Sequence, residues 1–399
     1  MKKILIISYT YQQEHLPRAI RWRALVNHLR KKGYQIHLIT SGSGVSSLDT
    51  DENLFLVNDF FYSNKKLTKR KSLTSFFSKV FRWPDHAWKF ILNAYCLAKK
   101  LHNKNEYDAC ITVSHPFSSN VVGFLLKMKY KQIDWISDNG DPFSIMKQPR
   151  INNFLFYGWL NWYFERKVIF NTKKFIVTTA ETKNLYAKSF KGSNHKIAVI
   201  GPFLEEEVLN LLNTPKSLKI RHSEIKFIFI GTLYSGIRNP NHVIKILEVL
   251  QKLIPQKIII EFIGDLSGLN EEDLSSSAIL VKHKQALPRK DALHRFLEAD
   301  ILVNIGNTNS YQLPSKVIEY LASNKPIINF SSIQNDSSKS LLSQFEATIN
   351  ICAPHLDEMT AAELLKEFIE KLNNSETKIS RNMKTFSINE ASNAFQEII

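Results

Sequence analysis

Short β-type apolar runs alternate with helical stretches along nearly the whole 399-residue chain, and this alternation constrains the fold more than any other feature. Lys3 to Ser8 is a continuous β-type run, Arg18 to Lys32 carries apolar residues at helical spacing, Gly33 closes that helix, and Gln35 to Thr40 returns as a strand. These segments make a βαβ unit. Ala109 to Ser114 and Ile133 to Ser137 read as buried strands with helical Val121 to Tyr130 between them, followed by strands at Lys174 to Thr179 and Lys196 to Ile200. The pattern then decays through Gly201, Pro202 and the polar stretch from Asn213 to Glu224.

A second series follows. Lys226 to Ile230, Lys257 to Ile263, Ile279 to Lys282, Ile301 to Asn304 and Pro326 to Phe330 read as strands. Helices are expected at His242 to Leu253, Arg289 to Glu298 and Ser315 to Ala322, with amphipathic patterns again at Ala361 to Leu372 and Ile388 to Ile398. The expected fold class is α/β, with two Rossmann-like doubly wound domains over residues 1–205 and 206–375. A closing helical segment at 376–399 is able to pack on either domain. Open parallel sheets bind ligands beyond the carboxyl ends of their strands, so two such sheets facing across a cleft would place the chemistry in the loops after strands.

Length agrees with two domains, since a single core rarely grows to this size. A formal charge of +16 and a pI near 9.5 imply an anionic partner: nucleic acid, an anionic membrane surface or a phosphorylated substrate. Cys96, Cys110 and Cys352 are far apart, which suggests neither a disulfide framework nor a zinc site and fits a cytoplasmic location. The opening MKKILIISYT reads as a first strand rather than a leader. No apolar run reaches the roughly 20 residues needed to span a bilayer, so any membrane contact is expected to be peripheral.

The helix expected at Ser315 follows Leu313 and Pro314. Its start offers backbone N–H groups and a partial positive charge suited to a pyrophosphate, beside the full charge of Lys316. Glu319 falls one turn later on the same side, where a carboxylate can accept two sugar hydroxyls. The residues alone equally allow Ser315 as a plain N-cap, with Lys316 and Glu319 as solvated surface charges.

PSKVIEYLASNKPII resembles the donor-binding signature of bacterial family 4 glycosyltransferases, whose two-domain architecture is called GT-B. IFIGTLYSGIRNP resembles the first strand and phosphate loop of their donor domain, and KQALPRKDALHRFLEADILVNIGN the elements leading to the signature. ILIISYTYQQEHLPRAIRWRALVNHLRKKGYQIHLIT resembles their opening βαβ, and WISDNGDPFS their Asp-containing cleft loop. The resemblance implies that Glu319 binds the nucleotide ribose and that Ser315, Lys316 and the loop with Gly231 and Thr232 surround the donor phosphates. It also implies that Arg238 supplies phosphate charge, with planar donors apt for a departing diphosphate. Two positions depart from the pattern: Tyr311 stands where the fuller signature has a glutamate that contacts the transferring sugar, and Thr232 where a basic residue often follows the glycine.

On the acceptor side, His115 follows a strand end and could hydrogen-bond the sugar, or serve as a structural loop histidine. Asp138 and Asp141 are candidates for orienting an acceptor hydroxyl, with Asx-turn chemistry beside Gly140 and Pro142 as the plainer role. Arg21 resembles a cleft-facing family position, but Arg18 and Arg23 compete with it. Tyr62 to Tyr95 interleaves Lys and Arg with Phe and Trp, as an anionic lipid surface or a lipid-diphosphate acceptor would require, and as a helix with an ordinary buried face would also show.

The expected activity is transfer of a sugar from a nucleoside diphosphate sugar to a glycan or lipid-linked acceptor in cell-surface polysaccharide assembly, with retention implied by the family. The nucleotide sugar is a co-substrate, and no cofactor, metal or nucleic acid is called for. Two alternatives stand beside it: a nucleotide-sugar epimerase of the same fold, and a noncatalytic protein binding nucleotide sugars or other anionic ligands. A dinucleotide dehydrogenase recedes, because neither Ser8 to His15 nor Gly231 to Pro240 supplies a G-x-G-x-x-G turn.

Overall fold

The computed structural model describes residues 2–13, 16–42, 51–58, 82–146, 152–214, 216–217, 220, 223–236, 238–352, 355–374 and 378–399. The chain forms two compact units, Met1–Gly201 together with Ile388–Ile399, and Pro202–Ser387.

The first unit is built on a parallel sheet of seven strands: β1 (Lys3–Ile7), β2 (Gln35–Ser41), β3 (Leu54–Val57), β4 (Ala109–Ser114), β5 (Asp134–Asn139), β6 (Lys174–Val177) and β7 (Ile197–Val199), in the order β3-β2-β1-β4-β5-β6-β7. Helices α1 (Pro17–Lys31), α2 (Phe90–Asn105), α3 (Ser118–Lys129), α4 (Phe154–Asn171) and α5 (Ala180–Ser189) connect them. Ile4 lies opposite Ile36 on one side and Ala109 on the other, so the strand order reverses beside β1. Gly33 ends α1 with a positive φ of 90°; its N–H donates to the Arg30 carbonyl at 2.9 Å, and the Tyr34 N–H to the Leu29 carbonyl at 3.2 Å. This paired closure is the reason glycine stands there.

The second unit has a parallel six-stranded sheet: β8 (Glu224–Ile230), β9 (Lys257–Ile263), β10 (Leu280–Lys284), β11 (Ile301–Ile305), β12 (Ile327–Ser331) and β13 (Thr348–Cys352), in the order β10-β9-β8-β11-β12-β13. Its helices are α6 (Glu206–Leu212), α7 (Asn241–Leu253), α8 (Arg289–Glu298), α9 (Lys316–Ala322), α10 (Ser337–Leu342) and α11 (Glu358–Asn374). Alternate residues of one strand serve opposite faces: Phe227 and Phe229 join the core containing Leu247 of α7 and Leu365 of α11, while Ile228 and Ile230 join that of Phe296 and Leu321. Burial on both faces explains why these strands read as unbroken apolar runs. The last helix, α12 (Ile388–Ile398), belongs to the first unit, where Phe395 meets Trp22 edge-to-face at 5.3 Å.

Burial lowers the pKa of His37, His102 and His242 from the ordinary histidine value. The unfolded chain therefore takes up protons that the folded chain refuses, and stability falls as pH drops below about 6.5 toward the lower folded values. Thermal unfolding followed from pH 7.5 to pH 5 is expected to show a midpoint that is nearly level down to about pH 6.5 and falls below it, and a flat profile over the whole window would contradict the assignment. Burial of Glu261 works against its charge, but hydrogen bonds from Lys284 and Arg295 outweigh that and hold its pKa below the ordinary value. Its contribution is present above about pH 4.5 and lost on further acidification.

Candidate active site

The strand order reverses between β1 and β4 in the first unit and between β8 and β11 in the second, and open parallel sheets take ligands at such a reversal. In the second unit, β8 runs into Gly231 with φ 155°. A side chain on Gly264, which follows β9 with φ 144°, would come within 2.2 Å of the Gly231 carbonyl. Only glycine permits that approach of the two loops. Beyond Thr232 the chain doubles back between Tyr234 and Arg238, whose backbones exchange hydrogen bonds at 3.0 and 3.3 Å.

This turn aims Arg238 at the next loop. Its Nε donates to Asn307 Oδ1 at 2.9 Å, and Asn307 Nδ2 donates to the Gln312 carbonyl at 3.0 Å. The loop after β8 and the loop leading to α9 are thereby tied together. Burial pushes the Arg238 guanidinium below its ordinary pKa, with Tyr234, Tyr320 and Asp336 acting in the opposite sense. A second tie comes from Tyr320 of α9, whose hydroxyl accepts from the Ile230 N–H at 2.8 Å and faces the Ile230 carbonyl at 3.3 Å. Next to these loops a cavity of about 200 Å³ is lined by His242, Gly306, Thr308, Phe330 and Ser332 among others. His242 Nε2 and Ser332 Oγ are buried without hydrogen-bond partners among the described residues.

Glu319 is only 7% exposed, so it is not a solvated surface acid. Lys316 Nζ donates to its Oε2 at 2.7 Å, and Arg289 Nη2 lies 3.8 Å from its Oε1 while Nη1 reaches Glu205 at 3.1 Å. Lys316 also sits 5.8 Å from the centre of the Phe296 ring. Its ammonium thus rests on Glu319 rather than standing free at the helix start. Ser315 is exposed and makes no side-chain cap bond to α9, which leaves its hydroxyl outside the capping role that residue type suggests. Tyr311 is half-buried in the loop before α9.

In the first unit, the three acceptor-side candidates occupy different environments. Half-buried His115 follows β4, between two cis peptide bonds, and its Nε2 has no hydrogen-bond partner among the described residues. Asp138, at the end of β5, is fully buried. Its Oδ2 accepts from Trp22 Nε1 at 2.7 Å and lies 3.3 Å from Arg18 Nη2 and 3.7 Å from Arg21 Nε. Arg18 also donates to the carbonyls of Ser114 and Asp138, at 3.0 and 2.8 Å, so it clasps the ends of β4 and β5. Arg21, whose pKa burial lowers to about 10, spends its other donors on the carbonyls of Ile200 and Gly201.

Asp141 is half-buried on the loop that follows β5. That loop is held by Glu165, a buried residue of α4 that sequence reasoning missed. Its carboxylate accepts from the N–H groups of Phe143 and Ser144, each at 2.8 Å, from the Ser144 hydroxyl, and from Tyr186 OH at 2.6 Å. Phe143 stacks on Phe117 with ring centres 3.9 Å apart, joining the loops after β4 and β5. Asn307 and Arg289 were missed as well; each is an unremarkable polar residue beside a strand end or helix start, and only its partner gives it meaning. Residues 62–81 of the basic aromatic segment lie outside the described residues. Among the described residues no group of three or more His, Cys, Asp or Glu side chains is placed to hold a metal ion.

The sequence matches no family profile and no curated protein. Among solved structures, sucrose-phosphate synthase from Thermosynechococcus elongatus is similar with a TM-score of 0.67 and 12% identity, over 100% of this chain and 98% of that one. WaaG, a glycosyltransferase involved in lipopolysaccharide biosynthesis, follows with a TM-score of 0.58 and 11% identity, over 100% and 95%. UDP-GlcNAc 2-epimerase from Methanocaldococcus jannaschii has a TM-score of 0.54 and 13% identity, over 100% and 99%. Identities this low speak to architecture and not to chemistry. With two doubly wound α/β units and these neighbours, the chain has the GT-B fold.

Proposed function

We propose that this chain is a metal-independent, retaining hexosyltransferase of family 4. In this reading it moves a sugar from a nucleoside diphosphate donor held by the second unit to a glycan or lipid-linked acceptor held by the first, in cell-surface polysaccharide assembly at the cytoplasmic face of the membrane. The observation that carries the reading is that the loop bearing Arg238 is tied, beside the strand-order reversal, to Asn307 and to Tyr320 of the helix that bears Glu319. The backbone at Gly231 and Thr232, with Ser315 and Lys316, would surround the diphosphate. A carboxylate offers about four lone-pair sites, so Lys316 and Arg289 leave Glu319 room for ribose hydroxyls. As the sugar–phosphate bond breaks, negative charge grows on the departing diphosphate, and Arg238 is the cation assigned to it. His115 and Asp141 remain the groups assigned to the acceptor and the sugar; the burial of Asp138 supports a positioning role for it, through Trp22 and Arg18.

A panel of UDP-, GDP-, ADP- and dTDP-sugars followed by thermal stabilisation, then by nucleotide release with a membrane-lipid acceptor, tests the reading. Stabilisation by at least one donor is expected, and none from the whole panel would sink it. Glu319→Ala is expected to weaken donor binding about 10- to 100-fold, or about 1.4–2.7 kcal/mol, by calorimetric titration. Unchanged affinity would remove the ribose role. The epimerase neighbour keeps one rival in view: epimerisation of the donor without any acceptor would favour it.

A further inference from the structure

Helix α4 of the first unit turns an apolar face to solvent. Leu155, Phe156, Trp159, Trp162 and Tyr163 are 44% to 86% exposed and fall on one stripe at helical spacing. An exposed aromatic stripe of this kind marks a docking surface. The charged residues of α4 decide the kind of partner. Its acid, Glu165, is buried on the opposite face, whereas Arg166 and Lys167 continue the stripe, with Lys167 Nζ 5.3 Å from the centre of the Tyr163 ring. The neighbouring segment repeats the pairing, with Lys89 Nζ 5.3 Å from the half-exposed Trp88 ring. That segment is fastened along α4, since Trp83 Nε1 donates to Asn161 Oδ1 at 3.0 Å and Asn152 Nδ2 to the Pro84 carbonyl at 2.7 Å.

We infer that α4 lies in the headgroup layer of an anionic bilayer, parallel to its surface, with Trp159 and Trp162 as anchors. Tryptophan and tyrosine favour the boundary between acyl chains and headgroups, and flanking cations meet anionic lipid. The formal charge of +16 complements that surface and opposes pairing with a second copy of the chain. Among the described residues no helix is long and apolar enough to cross a membrane. Through Glu165, the other side of the same helix grips the loop carrying Asp141. Docking would therefore hold that loop about one helix diameter, roughly 10 Å, from the headgroups, where a lipid-linked acceptor presents its sugar. The inference extends the membrane contact expected at residues 62–95 to a different element and rests on the transferase reading only for that last consequence.

Co-sedimentation of the full chain with phosphatidylcholine vesicles, with and without phosphatidylglycerol, tests it. Binding is expected to need the anionic lipid, and a double Trp159→Glu, Trp162→Glu variant is expected to bind about tenfold more weakly or worse. Should that variant unfold, Trp159→Phe with Trp162→Phe keeps the apolar bulk. Quenching of tryptophan fluorescence by lipids brominated in the acyl chain is then expected in the parent and clearly reduced in this variant, with Trp88 supplying the remainder. Undiminished binding of the folded Glu variant overturns the inference, as does binding abolished only by substituting Lys65, Lys66, Lys69, Arg70 and Lys71, which would leave the contact at residues 62–95 standing alone. A parent that dimerises by light scattering while the Glu variant does not, with vesicle binding unchanged, assigns the face to a second copy. Donor-induced stabilisation measured without vesicles is independent of every one of these outcomes, so the transferase reading fails or stands separately.

Discussion

Arg238→Ala is expected to lower kcat/KM with the best donor of the panel about 100-fold, with a larger share in kcat than in KM. That factor corresponds to about 2.7 kcal/mol of lost transition-state stabilisation, ordinary for removing one preorganised donor from a site where charge develops. The substitution deletes two things at once: the guanidinium, and the tie from Nε to Asn307 that holds the loop after β8 against the loop before α9. Arg238→Lys separates them, because lysine keeps a positive charge and loses the fork-shaped donor set. An intermediate loss for lysine assigns part of the effect to charge and part to the tie. If both variants retain full kcat/KM, Arg238 has no place at the departing diphosphate, and the donor panel must be read without it.

Glu165→Ala is expected to destabilise the first unit strongly. Four donors converge on that carboxylate: the N–H groups of Phe143 and Ser144 and the hydroxyls of Ser144 and Tyr186. Each buried donor left without a partner costs about 1–3 kcal/mol, and water entering the vacated space recovers part of that, leaving a loss of about 3–5 kcal/mol. For a unit of about 200 residues this is a drop of roughly 6–20 °C in the unfolding midpoint. Calorimetry should show the first unit unfolding at a lower temperature, and a shift under 2 °C would mean that the carboxylate is dispensable. Because the loop also carries Asp141, the variant is expected to lose activity below its unfolding temperature, whereas Tyr186→Phe, which removes one of the four donors, should lose far less.

Much of the fold was legible in the chain because buried parallel strands are written as unbroken apolar runs. β4, β9 and α8 fall at the residues their patterns indicated, and Gly33 closes α1 as its position in the sequence implied. Helix α4 was not legible, for a physical reason. Periodicity reveals a helix only when its outward face is polar, and the outward face of Phe154–Asn171 is Leu, Phe, Trp and Tyr. Strand β13, at the sheet edge with Thr348, Ile349 and Asn350 all half-buried, lacks the continuous apolar run that marked its neighbours. The final helix was visible as amphipathic Ile388 to Ile398, but only the contact of Phe395 with Trp22 decides which unit it serves.

For the candidate site, the sequence by itself located the loops after the strands beside each switch point, with Arg238 on one and Lys316 and Glu319 at the start of a helix on another. That much follows from local patterning, since strand ends and helix starts are encoded within a few residues. The tertiary structure decided what each side chain does there. It buries Asp138 under Trp22 and Arg18, sets Lys316 on Glu319, brings Arg289 to the same carboxylate, and joins Arg238 to Asn307 across 69 positions of chain. Partners so distant in sequence leave no local trace. A charge's role is set by what it faces across the crevice, and that depends on the order in which the strands assemble.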